Sequence, residues 1–117
     1  MQPSLVDARV FDLGLTTPGT IAASGTFTST VMPTYGMPHV AVAAKIDQAG
    51  TLSVQRYLDN AGQVAAGAAV TAAMTKNTTA TIDNLGTVLS QSLSISIINS
   101  ATVVATPALL EGVLGVS

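Results

Sequence analysis

Ser92-Leu93-Ser94-Ile95-Ser96-Ile97 alternates hydroxyl and apolar side chains without a break. Successive side chains of an extended strand point to opposite faces, so Leu93, Ile95 and Ile97 share one side and the serines the other. The same period of two runs through His39 to Ile46, which sets Val40, Val42, Ala44 and Ile46 on one face. It recurs from Thr51 to Leu58, where Leu52, Val54 and Leu58 oppose Thr51, Ser53, Gln55 and Tyr57. These are the patterns of half-buried antiparallel strands, and the many β-branched residues suit a pleated surface better than a helix.

Working outward, glycine, threonine and a large apolar residue occur in succession at Gly19-Thr20-Ile21, Gly25-Thr26-Phe27, Gly50-Thr51-Leu52 and Gly86-Thr87-Val88. Each reads as a turn closed by a glycine that tolerates positive φ, followed by the start of a strand. Asp47-Gln48-Ala49-Gly50 joins two alternating runs and predicts a hairpin. Asp59-Asn60-Ala61-Gly62, Lys76-Asn77, Asp83-Asn84-Leu85-Gly86 and Asn99-Ser100 mark later turns. Short strands at this spacing predict an all-β chain, a sandwich or small barrel; the expected fold is an antiparallel β-sandwich, jelly-roll-like, over residues 19–110. Residues 61–76 are rich enough in alanine for a helix, but Gly62 and Gly67 each oppose one by about 1 kcal/mol, which favours extended or loop structure. Residues 1–18 hold Pro3, Gly14 and Pro18 with no sustained period and read as an extended arm; residues 111–117 read as a tail.

Composition excludes much. Of 117 residues 9% are charged, against roughly 25% in an ordinary soluble domain. There is no cysteine, which removes disulfide frameworks and thiol chemistry, and no metal-ligand cluster or cofactor motif is present. A net charge of −2 with four dispersed basic residues gives no footprint for nucleic acid. The greasiest stretch, Val64 to Met74, is too short for the roughly 20 residues of a membrane span. The first residues lack the basic and apolar regions of a secretory signal, so synthesis in the cytoplasm is expected. His39 is the only imidazole and nothing ties it to a serine or an acid, while Asp47, Asp59 and Asp83 stand in turns where carboxylates cap backbone amides. No catalytic residue, metal or cofactor is expected.

What remains is a surface of Thr, Ser, Gln and Ala with few charges to prevent edge pairing, which points to burial against other chains. Such faces lose water at lower cost than charged ones. Contact residues are expected in the arm (Leu5, Val6, Val10, Phe11, Leu13 and Leu15) and in the tail (Leu109, Leu110, Val113 and Leu114). These side chains either dock on neighbours or cap their own sandwich. Arg56, on the apolar face of its strand, either snorkels at a sheet edge or anchors a subunit contact.

The succession GTLSVQRYLDNAG, an alanine/threonine stretch, ATIDNLG and LSISIINSATVVATPALL resembles small β-sandwich virion proteins of tailed bacteriophages. Leu52, Val54, Tyr57 and Asp59 stand where those proteins carry a strand before a turn. Ile95, Ile97 and Asn99-Ser100 stand before a final strand, here Thr102 to Thr106. The resemblance implies a capsid decoration (cement) protein on the phage head surface. Its partners would be the major capsid protein and its own copies in a homotrimer. Head-fibre, tail or baseplate accessory domains share such sandwiches. A carbohydrate-binding adhesin module is a different class, for which Tyr35 and Tyr57 are the aromatic candidates, Tyr35 in a Pro/Gly loop suited to display it. A fibre subunit assembled by strand donation is a third.

Overall fold

The computed structural model describes residues 10–35, 37, 39–83 and 90–115, with side chains from Asp12 onward. The strands are β1 (Val10–Asp12), β2 (Thr26–Thr28), β3 (Met32–Pro33), β4 (His39–Ile46), β5 (Gly50–Tyr57), β6 (Val70–Met74), β7 (Ala80–Ile82), β8 (Ser92–Asn99) and β9 (Pro107–Gly115). No helix occurs among the described residues. Two antiparallel sheets face each other, one ordered β1-β9-β4-β7 and the other β2-β8-β5-β6, with β3 also paired to β8. The chain is an all-β antiparallel sandwich of the jelly-roll kind.

The alternating runs fill the space between the sheets. Val40, Val42, Ala44 and Ile46 of β4 face Leu52 and Val54 of β5 and Leu93, Ile95 and Ile97 of β8, all buried in one core. Leu110 and Leu114 of β9 and Met74 and Ile82 from β6 and β7 complete it. Period-two alternation therefore located both the strands and their inner faces. Leu58 departs from it: β5 ends at Tyr57, and Leu58 is 52% exposed in the loop beyond.

Several expectations are corrected. Residues 47–49 do not close a hairpin, because β4 and β5 lie in different sheets. The short loop instead carries the chain across the sandwich, held by Ser100 N–H donating to the Ala49 carbonyl (3.0 Å) and Thr106 N–H donating to Asp47 Oδ1 (2.7 Å). Gly25 and Gly50 are not at positive φ; the glycines that are, Gly14, Gly62 and Gly67, lie elsewhere. Gly50 is required by close approach, since a Cβ there would lie 2.2 Å from the Ile98 carbonyl oxygen. The turn expected at 83–86 falls mostly outside the described residues.

The ends differ as well. The 102–106 segment is a loop with one bridge, Ala105 to Ile21, and the last strand begins at Pro107, the first position of a strand, where proline is tolerated. Far from being a tail, β9 pairs with β4 along its length and with β1 on its other side. Residues 10–12 of the expected arm are thus an edge strand, and Leu13 N–H donates to the Gly112 carbonyl at 2.8 Å. Gly112 leaves room on the inner face that Leu13 and Leu15 occupy, the Leu13 Cδ1 lying 2.7 Å from where a Cβ would stand. The 61–76 segment is a loop followed by β6, as its glycines indicated.

Candidate functional site

The charges on the strands are distributed unequally between the two outer faces. The four-stranded sheet turns Lys45, Glu111 and Asp12 outward. Among the described residues the five-stranded sheet turns no charged side chain outward: Arg56, the one ion on its strands, faces the core. Its register sets Thr26, Ile98, Thr51 and Ala73 abreast in one row and Thr28, Ser96, Ser53 and Thr71 in the next. Neighbouring strands stand about 4.8 Å apart and rows about 6.7 Å apart. The result is a lattice of hydroxyls and methyls, partly bonded within itself, with Thr28 Oγ1 and Ser96 Oγ 3.2 Å apart. Ile98, 39% exposed, is its largest apolar group.

Toward the Tyr57 end the lattice is covered. The Tyr57 hydroxyl pairs with Ser94 Oγ at 2.9 Å, and Gln55 Nε2 donates to the Gly67 carbonyl at 3.1 Å, tying down the loop that follows β5. Asp59 shapes that loop: its Oδ1 accepts N–H bonds from Val64 (2.9 Å) and Gln63 (3.0 Å). The Val64 bond, more than the others, holds the Asp59 carboxyl below the usual aspartate range, against a smaller opposing effect of burial. A carboxyl depressed by folding stabilises the native state above its unfolded-state pKa, and the contribution disappears as pH falls through the lower folded-state pKa. Asp59→Asn is therefore expected to lower the urea midpoint at neutral pH, with the gap from wild type closing on acidification below about pH 4. Denaturation series at neutral and acid pH check it; a gap independent of pH would refute the assignment.

At this same pole, Pro33, Tyr35, Asn60, Ser90 and Gln91 line an open cleft of about 510 Å³. Tyr35 is 74% exposed and holds φ at +54°, a conformation uncommon for a bulky residue. Its neighbour Thr34 is fully buried, donating its hydroxyl to the Ser90 carbonyl and its N–H to the Gln91 carbonyl, both at 2.9 Å. Met37 N–H closes the turn on the Thr34 carbonyl at 2.9 Å. A second hollow of about 260 Å³, on the four-stranded sheet, is lined by Ala41, Ala43, Thr81, Asp83, Glu111 and Val113 among others.

The contact residues expected from sequence do not form one surface. Leu110 and Leu114 are 1% and 2% exposed inside their own core, which removes them from any surface set. Leu13 and Leu15 pack partly buried against that core, so they cap their own sandwich. Leu109 is half-buried and Val113 is 39% exposed on the four-stranded sheet. Val10 and Phe11 lie in β1, their side chains outside the described set; Leu5 and Val6 lie outside the described residues. Arg56 is only 5% exposed on an interior strand, and burial pushes its guanidinium down from the ordinary value. It neither snorkels at an edge nor presents itself to a second chain.

His39 is exposed at the start of β4, opposite Gly115. Among the described residues no group of three or more His, Asp or Glu side chains is placed to hold a metal. No helix of the described residues is long and apolar enough to cross a membrane. The neutral lattice was foreshadowed by the Thr and Ser positions, but the segregation of charge needed the sheet order. Asn60 was read only as part of a turn and Gln91 was not singled out, since no local pattern places two residues 31 positions apart in one cleft.

No family model matches the chain, and no curated protein matches it in sequence. Among solved structures it is similar to the crystal structure of PirA, with a TM-score of 0.53, 10% identity, and coverage of 92% of this chain and 93% of that one. A de novo designed double-stranded β-helix aligns with a TM-score of 0.44 at 11% identity, over 92% and 96% of the two chains. The CBM36-1 domain of a multidomain xylanase from the hindgut metagenome of Trinervitermes trinervoides aligns at 0.42 and 10% identity, over 91% and 94%. At such identity the likeness to PirA concerns the fold alone.

Proposed function

We propose that this chain is a non-catalytic structural protein of a virion, a capsid decoration protein that docks on the outer surface of the major capsid lattice. The observation that carries the reading is the charge-free outer face of the five-stranded sheet. A surface of hydroxyls and methyls can be covered by another protein without stripping water from ions. The resemblance of the sequence to phage sandwich proteins supports the same role. Two rows of four side chains are fewer than the 20–30 residues of a standard interface, so each contact is weak and affinity comes from repetition over the shell. Binding to assembled shell and not to free subunits stabilises the shell by mass action. Association of the protein with its own copies as a homotrimer belongs to the same reading and is read out by size-exclusion mass.

Ser53→Glu tests it. Ser53 is central in its row, and a carboxylate there would have to be desolvated on docking. Occupancy on capsids is expected to fall at least about tenfold, with the circular dichroism of the free protein unchanged. Unchanged occupancy in Ser53→Glu and Thr71→Lys alike would remove the sheet face from the mechanism.

A second reading, a carbohydrate-binding module, is favoured by the exposed Tyr35 held at positive φ on its anchored turn.

A further inference from the structure

We propose that the cleft of Pro33, Tyr35, Asn60, Ser90 and Gln91 binds a neutral saccharide, with the ring of Tyr35 as its stacking surface and the Asn60 and Gln91 amides as its hydroxyl partners. The proposal rests on the carbohydrate-binding reading and assigns it a site and a ligand class.

The first support is the backbone. A non-glycine residue in the left-handed region is strained, and such strain collects at active sites and ligand clamps. At Tyr35 the strained residue carries a large aromatic group that is 74% exposed, so its conformation is not repaid by burial. Thr34 beside it is buried and doubly bonded to the 90–91 segment, which fixes the base of the turn. The opposite wall is fixed to the next residue, the first of β8: Ser92 Oγ donates to the Asp59 carbonyl, and the Asp59 carboxylate holds the 59–64 loop. Both walls are thus preset against residues 90–92 at the start of β8, which reduces the ordering cost of binding.

The second support is the lining. Among the described residues it combines one aromatic face, two primary amides and a serine, with no ionised side chain. The carboxylate adjoining Asn60 in sequence, Asp59, spends its oxygens on Gln63 and Val64, and Arg56 is buried. An amide offers a donor and an acceptor side by side, which matches adjacent sugar hydroxyls, and a pyranose presents an apolar C–H face to a ring. An anionic sugar would find no counter-charge there.

The test is a chemical-shift titration of the whole chain with neutral oligosaccharides of glucose, galactose, mannose, xylose and N-acetylglucosamine, with polygalacturonate as the anionic comparison. At least one neutral sugar is expected to give saturable shifts at Tyr35 and Gln91 with a Kd of about 1 mM or tighter. Tyr35→Phe should bind within about threefold of wild type, and Tyr35→Gly should lose at least about tenfold. Tyr35→Gly also relieves the positive φ, so its urea midpoint should equal or exceed that of wild type while binding is lost, which separates the lost surface from misfolding. Gln91→Ala should weaken binding without changing stability. Binding that survives Tyr35→Gly would overturn the site and leave a carbohydrate module elsewhere on the chain. No neutral sugar bound at about 10 mM would overturn both.

Discussion

Asn99→Ala should unfold at a much lower urea concentration than wild type, with a loss of about 3 kcal/mol or more. Asn99 is fully buried at the end of β8. Its Nδ2 donates toward the carbonyls of Val103 (2.8 Å), Ala22 (3.1 Å) and Ile21 (3.3 Å), while Oδ1 accepts the Ala101 N–H at 3.0 Å. One amide thereby joins three separate backbone segments: the stretch before β2, the end of β8 and the loop leading to β9. Alanine would take the partner from the Val103 carbonyl and the Ala101 N–H, while the Ile21 and Ala22 carbonyls keep the Ala105 and Gly25 N–H groups. Each buried polar group left unmet costs about 1–3 kcal/mol, and the lost packing of the amide adds to it. Asn99→Asp keeps the size and the acceptor but removes the donors and sets a negative charge against carbonyl oxygens. It should be at least as damaging at neutral pH as alanine, with partial recovery in acid, where the protonated carboxyl regains a donor. A loss under 1 kcal/mol for both variants, measured by equilibrium unfolding, would show that the network carries little of the stability.

Gly50→Ala is the second large effect. The substitution adds one methyl, yet its Cβ would lie 2.2 Å from the Ile98 carbonyl oxygen and 3.2 Å from Ile46 Cδ1. Backbone cannot retreat as a side chain can, so β5 and β8 would have to separate where they pair Gly50 with Asn99. A loss of about 3 kcal/mol is expected, at the upper end for overpacking. Ala49→Gly, one residue earlier at an exposed loop position, is the matched control and should fall by no more than about 1 kcal/mol. If Gly50→Ala is tolerated with an unchanged urea midpoint, the close approach is not what requires glycine there.

How much of this was legible beforehand follows from the range over which each signal acts. Leu93, Ile95 and Ile97, or Val40, Val42 and Ala44, declare their inner face within one strand because alternation is local. Partner choice is not local. Nothing in Asp47-Gln48-Ala49-Gly50 distinguishes a hairpin from a crossing between layers, and the deciding contact, Gly50 with Ile98, is 48 residues away. β9 escaped notice because Pro107 and Gly112 interrupt its apolar pattern, although Leu110 and Leu114 keep the period. Gly112 looks like a breaker in sequence; in space it is the vacancy into which Leu13 and Leu15 fit. The candidate surfaces divide the same way. The neutral composition of the strands could be read directly, whereas the cleft assembles from residues 33–35, 60 and 90–91, which only tertiary pairing brings together.

The strand order also governs how such a chain reaches its native state. Among the described strands, only β5 and β6 are both consecutive in sequence and paired to each other; every other ladder joins strands with at least one strand between them in sequence. Few turns can therefore act as independent nuclei, and most of the loop-closure entropy must be spent before either layer is complete. Refolding should be slow for a domain of this length, in the millisecond-to-second range of sandwiches with high contact order. A nascent chain would gain little protection until β8 and β9 have left the ribosome.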